Sequence, residues 1–207
     1  MEWAAQQRER LANTLRSAGP DAPTLCEGWT TGDLAAHLVV RETSTAALGI
    51  VVPAFAAKTE QAMTALRDSE PYGEIVDTFA AGPTSWVRQR LDEAMNLAEF
   101  FVHCEDVLRA GDWDGHRRTL DPRLEDALWD RLKPMARLMY RRSPVPVALY
   151  RDSGDTLVAK RGTGGVRITG RPGELVLHAF GRPTVADVEV AGPPDALAAF
   201  AGAGFGV

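Results

Sequence analysis

The hydrophobic pattern of this chain changes period once, just after Pro144. That change limits the fold to a helical part followed by a part built on a sheet. Before it, apolar residues recur at helical spacing between capping and breaking residues. After it, Val147, Leu149, Leu157, Ala159, Val166 and Ile168 alternate with polar residues, and Gly154, Gly162, Gly164, Gly165 and Gly170 punctuate the alternation. Period 3.6 is the mark of amphipathic helices and period 2 that of strands and hairpins. The expected fold class is therefore α+β: a four-helix bundle over residues 1–141 and a small α+β domain over residues 142–207.

Within the first part the spacing predicts helices over about 2–17, 32–48, 54–68 and 73–80. A long helix follows from a Thr84 or Ser85 cap to Ala110, and another spans about 122–141 with Pro134 inside it as an expected kink. Thr30 and Thr31 are good N-cap residues, and Asp33 is placed to bond back to the helix start. After Pro144 the expected order is strands, a short helix over Arg171–Phe180, a strand over Val185–Val190 and a last helix over Pro194–Ala201.

Histidine is scarce, with four residues: His37, His103, His116 and His178. His103 follows Glu99 by four residues in the long helix, so both side chains project from one face. At ~100° per residue with Ala98 at zero, an apolar stripe of Val87, Leu91, Ala94, Phe101, Val102 and Leu108 lies within ~80° either side. Glu99, His103 and Asp106 fall near 100°, 140° and 80°, on the shoulder of that stripe. Buried there, such groups must be paired, hydrogen-bonded or metal-bound; a polar helix edge facing water is the alternative. Asp106 suits a carboxylate that orients His103 from behind. His37, among Leu34, Leu38, Arg41 and Leu48 on its own wheel, points to the core side. A His from one bundle helix with a Glu and a His from another matches the way bundle cores assemble metal sites. Two imidazoles and one carboxylate leave coordination positions open, as in catalytic rather than structural centres. The set suits zinc foremost, with nickel or iron as alternatives.

Two segments carry a family resemblance. Leu25-Cys26-Glu27-Gly28-Trp29-Thr30, followed by Asp33-Leu34-Ala35-Ala36-His37-Leu38 and Arg41-Glu42, resembles the first signature of the DinB-like, mycothiol-dependent maleylpyruvate isomerase family of actinobacterial metal-binding proteins. Asn96–Ala110 resembles its second, a Glu-x-x-x-His helix followed by Glu-Asp-Val. Gly173-Glu174-Leu175 through Gly181-Arg182 is similar to the sterol-carrier-like C-terminal domain often fused to that bundle. The resemblance implies a metal triad of His37, Glu99 and His103 and mycothiol as cosubstrate. It implies a metal- and thiol-dependent isomerase or S-transferase acting on a small electrophile. An open metal position would favour the thiolate of the cosubstrate at neutral pH. Reversible addition of that thiolate to a conjugated double bond gives isomerisation, and irreversible attack gives S-transfer. Glu99 is then a ligand and not a free base.

Arg41, one turn from His37, is the candidate catalytic residue that holds a substrate carboxylate; pairing with Glu99, Asp106 or Glu42 is the alternative. Relatives often carry His-His where this chain has His103-Cys104. The wheel puts Cys104 on the far side of the stripe with Trp86, Leu97 and Leu108, so it is expected to be a small core residue. Cys26 lies in a loop before Gly28-Trp29, with no neighbour in sequence to activate it. His116 and His178 are expected to play no part in metal binding. A non-catalytic metal- or ligand-binding protein and an iron-dependent oxygenase on the same triad are the competing readings.

Composition narrows the partners. With 23 Lys and Arg against 28 Asp and Glu, a net charge of −5 and a pI near 5.4, the chain is not built to grip phosphate backbones, so no nucleic acid is expected. No apolar run approaches the ~20 residues that cross a bilayer, and Glu2, Arg8 and Arg10 interrupt any signal-peptide core. Two cysteines form neither a CxxC pair nor a disulfide framework. A cytoplasmic protein with no membrane partner is expected, and the composition specifies no oligomeric state.

Overall fold

The computed structural model describes residues 3–43, 56–82 and 86–203. Contacts divide the chain into two units, residues 1–117 and 118–207.

The first unit holds five helices among the described residues: α1 (Trp3–Ala18), α2 (Thr31–Thr43), α3 (Ala56–Ser69), α4 (Tyr72–Ala81) and α5 (Trp86–Leu108). Helix α1 ends where Gly19 takes φ +78°, a conformation that a side chain would strain. Helix α2 starts on the expected cap. Asp33 Oδ2 accepts from both the backbone N and the hydroxyl of Thr30, each at 2.9 Å, so the first turn is tied to the loop before it. The expected continuation of α2 to residue 48, the start of α3 after Pro53 and the Thr84 or Ser85 cap of α5 lie outside the described residues.

Helix α1 packs on α4 and α5, and α2 on α3 and α4. Leu11 and Leu15 from α1, Leu34 and Leu38 from α2, Ile75 and Phe79 from α4 and Phe100 from α5 share one core cluster. Each such side chain contributes about 1.5–3 kcal/mol by leaving water. One cation enters this core. Arg8 is only 5% exposed; its guanidinium lies 5.0 and 4.6 Å from the Phe79 and Phe100 ring centres. It donates to both oxygens of Glu42 at 2.7 and 2.6 Å and to the Phe79 carbonyl at 2.9 Å. The fork ties α1, α2 and α4 together at one buried point.

The second unit is α+β: α6 (Pro122–Met139), β1 (Val147–Arg151), β2 (Thr156–Lys160), β3 (Val166–Gly170), α7 (Pro172–Ala179), β4 (Val188–Ala191) and α8 (Pro194–Ala201). Helix α6 was expected to close the bundle at residue 141, but it belongs here. Its stripe of Leu124, Leu128, Trp129, Leu132, Ala136 and Met139 is buried, and its neighbours are α7 and β2. The change of period marks where strands begin; it does not mark which helix packs on them. The helix runs as one element through Pro134.

The sheet is mixed, in the order β2-β1-β3-β4, with β1 and β3 parallel and the outer pairs antiparallel. Val147, Leu149, Ala159, Val166 and Ile168 are its buried residues, the inward half of the alternation. Entry into β3 needs glycine, because a Cβ on Gly165 would sit 2.1 Å from the Pro146 carbonyl oxygen. That oxygen accepts from Val166 N at 2.9 Å. Strand β4 begins at Val188, later than the Val185 expected, because the backbone N of Val185 and of Ala186 turn back to the Arg182 carbonyl.

His178 on α7 is sandwiched between the Tyr140 and Phe200 rings, each 5.9 Å away, with Tyr140 Oη 2.8 Å from its Nδ1. Burial lowers its pKa from 6.5 to about 4. The unfolded chain therefore takes up a proton below pH 6.5 that the folded unit refuses. The penalty is absent above that pH, grows as pH falls and levels off near pH 4 at roughly 3 kcal/mol. His178→Gln should flatten this part of the stability profile, measured by denaturant unfolding between pH 7 and pH 4. An unchanged slope would show that the imidazole takes up its proton without disturbing the fold.

Candidate metal centre

Helices α2 and α5 present two short ladders of polar side chains to each other. On α2 the rungs are His37 and Arg41, one turn apart; on α5 they are Asn96, Glu99 and His103. His103 Nε2 is 3.5 Å from Glu99 Oε2. The His37 ring centre is 5.7 Å from that of His103, edge to face, and 4.9 Å from the nearest ring of Trp29. The structure thus brings His37, Glu99 and His103 to one place.

Arg41 has partners. Its Nη1 donates to Asn96 Oδ1 at 2.5 Å and its Nη2 lies 3.9 Å from Glu99 Oε1. Of the three carboxylates considered from the sequence, Glu42 is taken by Arg8 and Asp106 is bound by His103, so Glu99 is the carboxylate beside Arg41.

His103 is turned by Asp106, whose Oδ2 is 3.0 Å from Nδ1. A carboxylate only accepts, so Nδ1 carries the proton and Nε2 is the atom turned toward Glu99. Asp106 is fully buried and His103 is 8% exposed. The same Oδ2 accepts from Cys26 Sγ at 3.3 Å, and the Asp106 carbonyl accepts from Leu25 N at 3.0 Å. Nothing in the sequence pointed to this loop contact, which spans 80 residues. Asn96 also escaped sequence reading, although it lies one turn before Glu99 on the same face.

The charges suit a cation. Burial opposes ionisation of Glu99, but its bond to His103 and the Arg41 guanidinium outweigh it and bring its pKa down to about 2. Burial, helped by the charge of His103, lowers His37 to about 4. At neutral pH, then, Glu99 is a carboxylate and His37 a neutral imidazole, the forms that coordinate metal. Burial works against the imidazolium of His103 as well, but Asp106, Cys26 and Glu99 overcome it and hold its pKa well above 6.5. His103 therefore coordinates only when a cation displaces the proton from its Nε2, the edge turned toward Glu99. With that proton released, two imidazoles and an anionic carboxylate, one imidazole braced from behind, fit zinc or another late divalent cation. A second donor set shares His103: ligand atoms of Cys26, His103 and Asp106 lie within 4.8 Å of one another.

The remaining candidates sit elsewhere. His116 is in an exposed stretch after α5, and His178 is held by Tyr140 and Phe200. Cys104 is fully buried in the core cluster with Leu11, Leu15 and Phe100, its sulfur 3.6 Å from Thr14 Oγ1.

Comparison with known proteins gives one family. The family model described as the mycothiol maleylpyruvate isomerase N-terminal domain matches residues 2–148. The crystal structure of the mycothiol-dependent maleylpyruvate isomerase superposes with a TM-score of 0.58 at 16% identity, covering 91% of this chain and 90% of that one. A histidine-to-alanine mutant of that enzyme gives 0.60 at 13% identity, with the same coverage of both chains. No curated protein sequence matches the chain.

The position of Cys104 generates a test. Cys104→Ser should leave metal content unchanged and lower stability by about 1–2 kcal/mol, since a hydroxyl is less at home in an apolar core but finds Thr14 as a partner. Metal analysis and denaturant unfolding of the same preparation check both halves.

Proposed function

Because this chain belongs to the family of the mycothiol maleylpyruvate isomerase N-terminal domain, we propose that it is a thiol-dependent isomerase or S-transferase acting on a small electrophile. It works with a divalent metal, zinc foremost, held by His37, Glu99 and His103. The observation that carries the reading is the facing of the two ladders, His37 and Arg41 against Asn96, Glu99 and His103. When bound, the cation supplies activation of the cosubstrate thiol as thiolate at neutral pH.

The side chains do the rest. Glu99 stays ionised beside Arg41 and His103 and serves as a ligand, leaving no free carboxylate base among the three. Burial keeps His37 neutral and available. Asp106 keeps the Nε2 edge of His103 turned to the site. Arg41, steadied by Asn96, is the cation that orients a carboxylate of the substrate. The favoured thiol is mycothiol, and maleylpyruvate is the first substrate to test.

Metal-loaded protein should isomerise maleylpyruvate only when mycothiol is added. His103→Ala should lose stoichiometric metal and activity together while its helical circular dichroism survives. Arg41→Ala should keep metal and raise KM for a carboxylate substrate about 10- to 100-fold, the worth of one charge-assisted contact. Full metal occupancy in His103→Ala would sink the ligand assignment. Metal-loaded protein without turnover of any electrophile would make the chain a binding protein instead.

A further inference from the structure

We infer that Cys26 is a positioning residue for the metal centre: its thiol, bonded to Asp106, fixes the carboxylate that orients His103. The inference rests on the ligand set proposed above and adds to it a residue outside that set, bonded to the carboxylate behind His103.

Asp106 is wholly buried, and a buried carboxylate is stable only where donors hold it. Its Oδ2 receives two of them from opposite parts of the chain: His103 Nδ1, three residues before it on α5, and Cys26 Sγ, from the loop before α2. The imidazole meets this oxygen from along α5. The thiol supplies a second direction, so the oxygen that meets Nδ1 is defined from two sides.

The sulfur is itself placed by backbone. Trp29 N donates to the Cys26 carbonyl at 3.0 Å, Cys26 N donates to Thr24 Oγ1 at 3.2 Å, and Thr24 Oγ1 donates to the Trp29 carbonyl at 2.9 Å. Leu25 N then pins the loop to the carbonyl of Asp106. None of these bonds uses the side chain of Cys26, so the loop keeps its place when the thiol is changed. The loop that carries Cys26 also carries Trp29, whose ring meets His37. A single short loop therefore reaches both imidazoles, one through an aromatic contact and the other through a carboxylate.

Zinc affinity of the full-length protein, measured by competition with a chromophoric chelator, tests this together with the absorption spectrum of the cobalt-substituted protein. Cys26→Ala should weaken zinc binding about 10-fold, the scale on which partners of metal-bound histidines act, and should shift the cobalt ligand-field bands. Cys26→Ser, which keeps a donor in place, should restore most of the affinity. Unchanged affinity in Cys26→Ala, or a serine variant as weak as the alanine one, would overturn the inference and leave the ligand set standing. Sulfur-to-cobalt charge-transfer absorption lost in Cys26→Ala would overturn it too, by making Cys26 a ligand with Asp106 and the Nδ1 edge of His103. Wild-type protein that binds no metal would remove the ligand set and the inference with it.

Discussion

The first unit turns on one carboxylate. Asp106 has no contact with water, so its charge must be met by the protein, and it is met from two directions. The bond to His103 chooses which ring nitrogen faces the centre. The Leu25 amide on the Asp106 carbonyl holds the loop that leads into α2, and from that loop the thiol of Cys26 reaches back to the carboxylate. That loop hands directly to the Thr30–Asp33 cap, which starts α2 with His37 on the face turned to α5. One buried anion thus couples the register of two helices to the orientation of the ring between them.

The Arg8–Glu42 fork supports the same arrangement from the other end of α2. A buried arginine paired in bidentate fashion and stacked on two rings is costly to break, because either partner left alone is a charge in the core. By occupying Glu42, it leaves its neighbour Arg41 to Asn96 and Glu99. Adjacent residues on α2 so serve opposite ends: Glu42 answers the core and Arg41 the site.

What the sequence made legible follows from local periodicity. The start of α2 on the Thr30–Asp33 cap, the one-turn pairing of Glu99 with His103 and the place of Asp106 behind His103 are all relations within a few residues, legible from local pattern. The wheel of α2 put His37 on the core side, and the family motifs joined it to Glu99 and His103 as one triad. Relations across long stretches of chain were not legible. Helix α6 is amphipathic in the same way as a bundle helix, and nothing in its pattern distinguishes a stripe that meets α7 and β2 from one that meets α5. Cys26 and Arg8 find their partners through tertiary packing alone, over 80 and 34 residues.

The strand order of the second unit has a consequence for how it is assembled. Strands β1 and β2 are joined by a short connection and can pair as soon as both exist. The inner edge of β1, however, is completed only by β3, in parallel, and β3 in turn is covered by β4 after α7 has been made. Until then the hairpin shows an open row of backbone donors and acceptors flanked by Val147 and Leu149, the kind of edge on which another chain can pair. The close approach of Gly165 to Pro146 sits where β3 must dock to shut that edge. Glycine there lets the closing strand enter without displacing the backbone it joins, so the same small residue that permits the final fit also permits the pairing that takes the edge away from other partners.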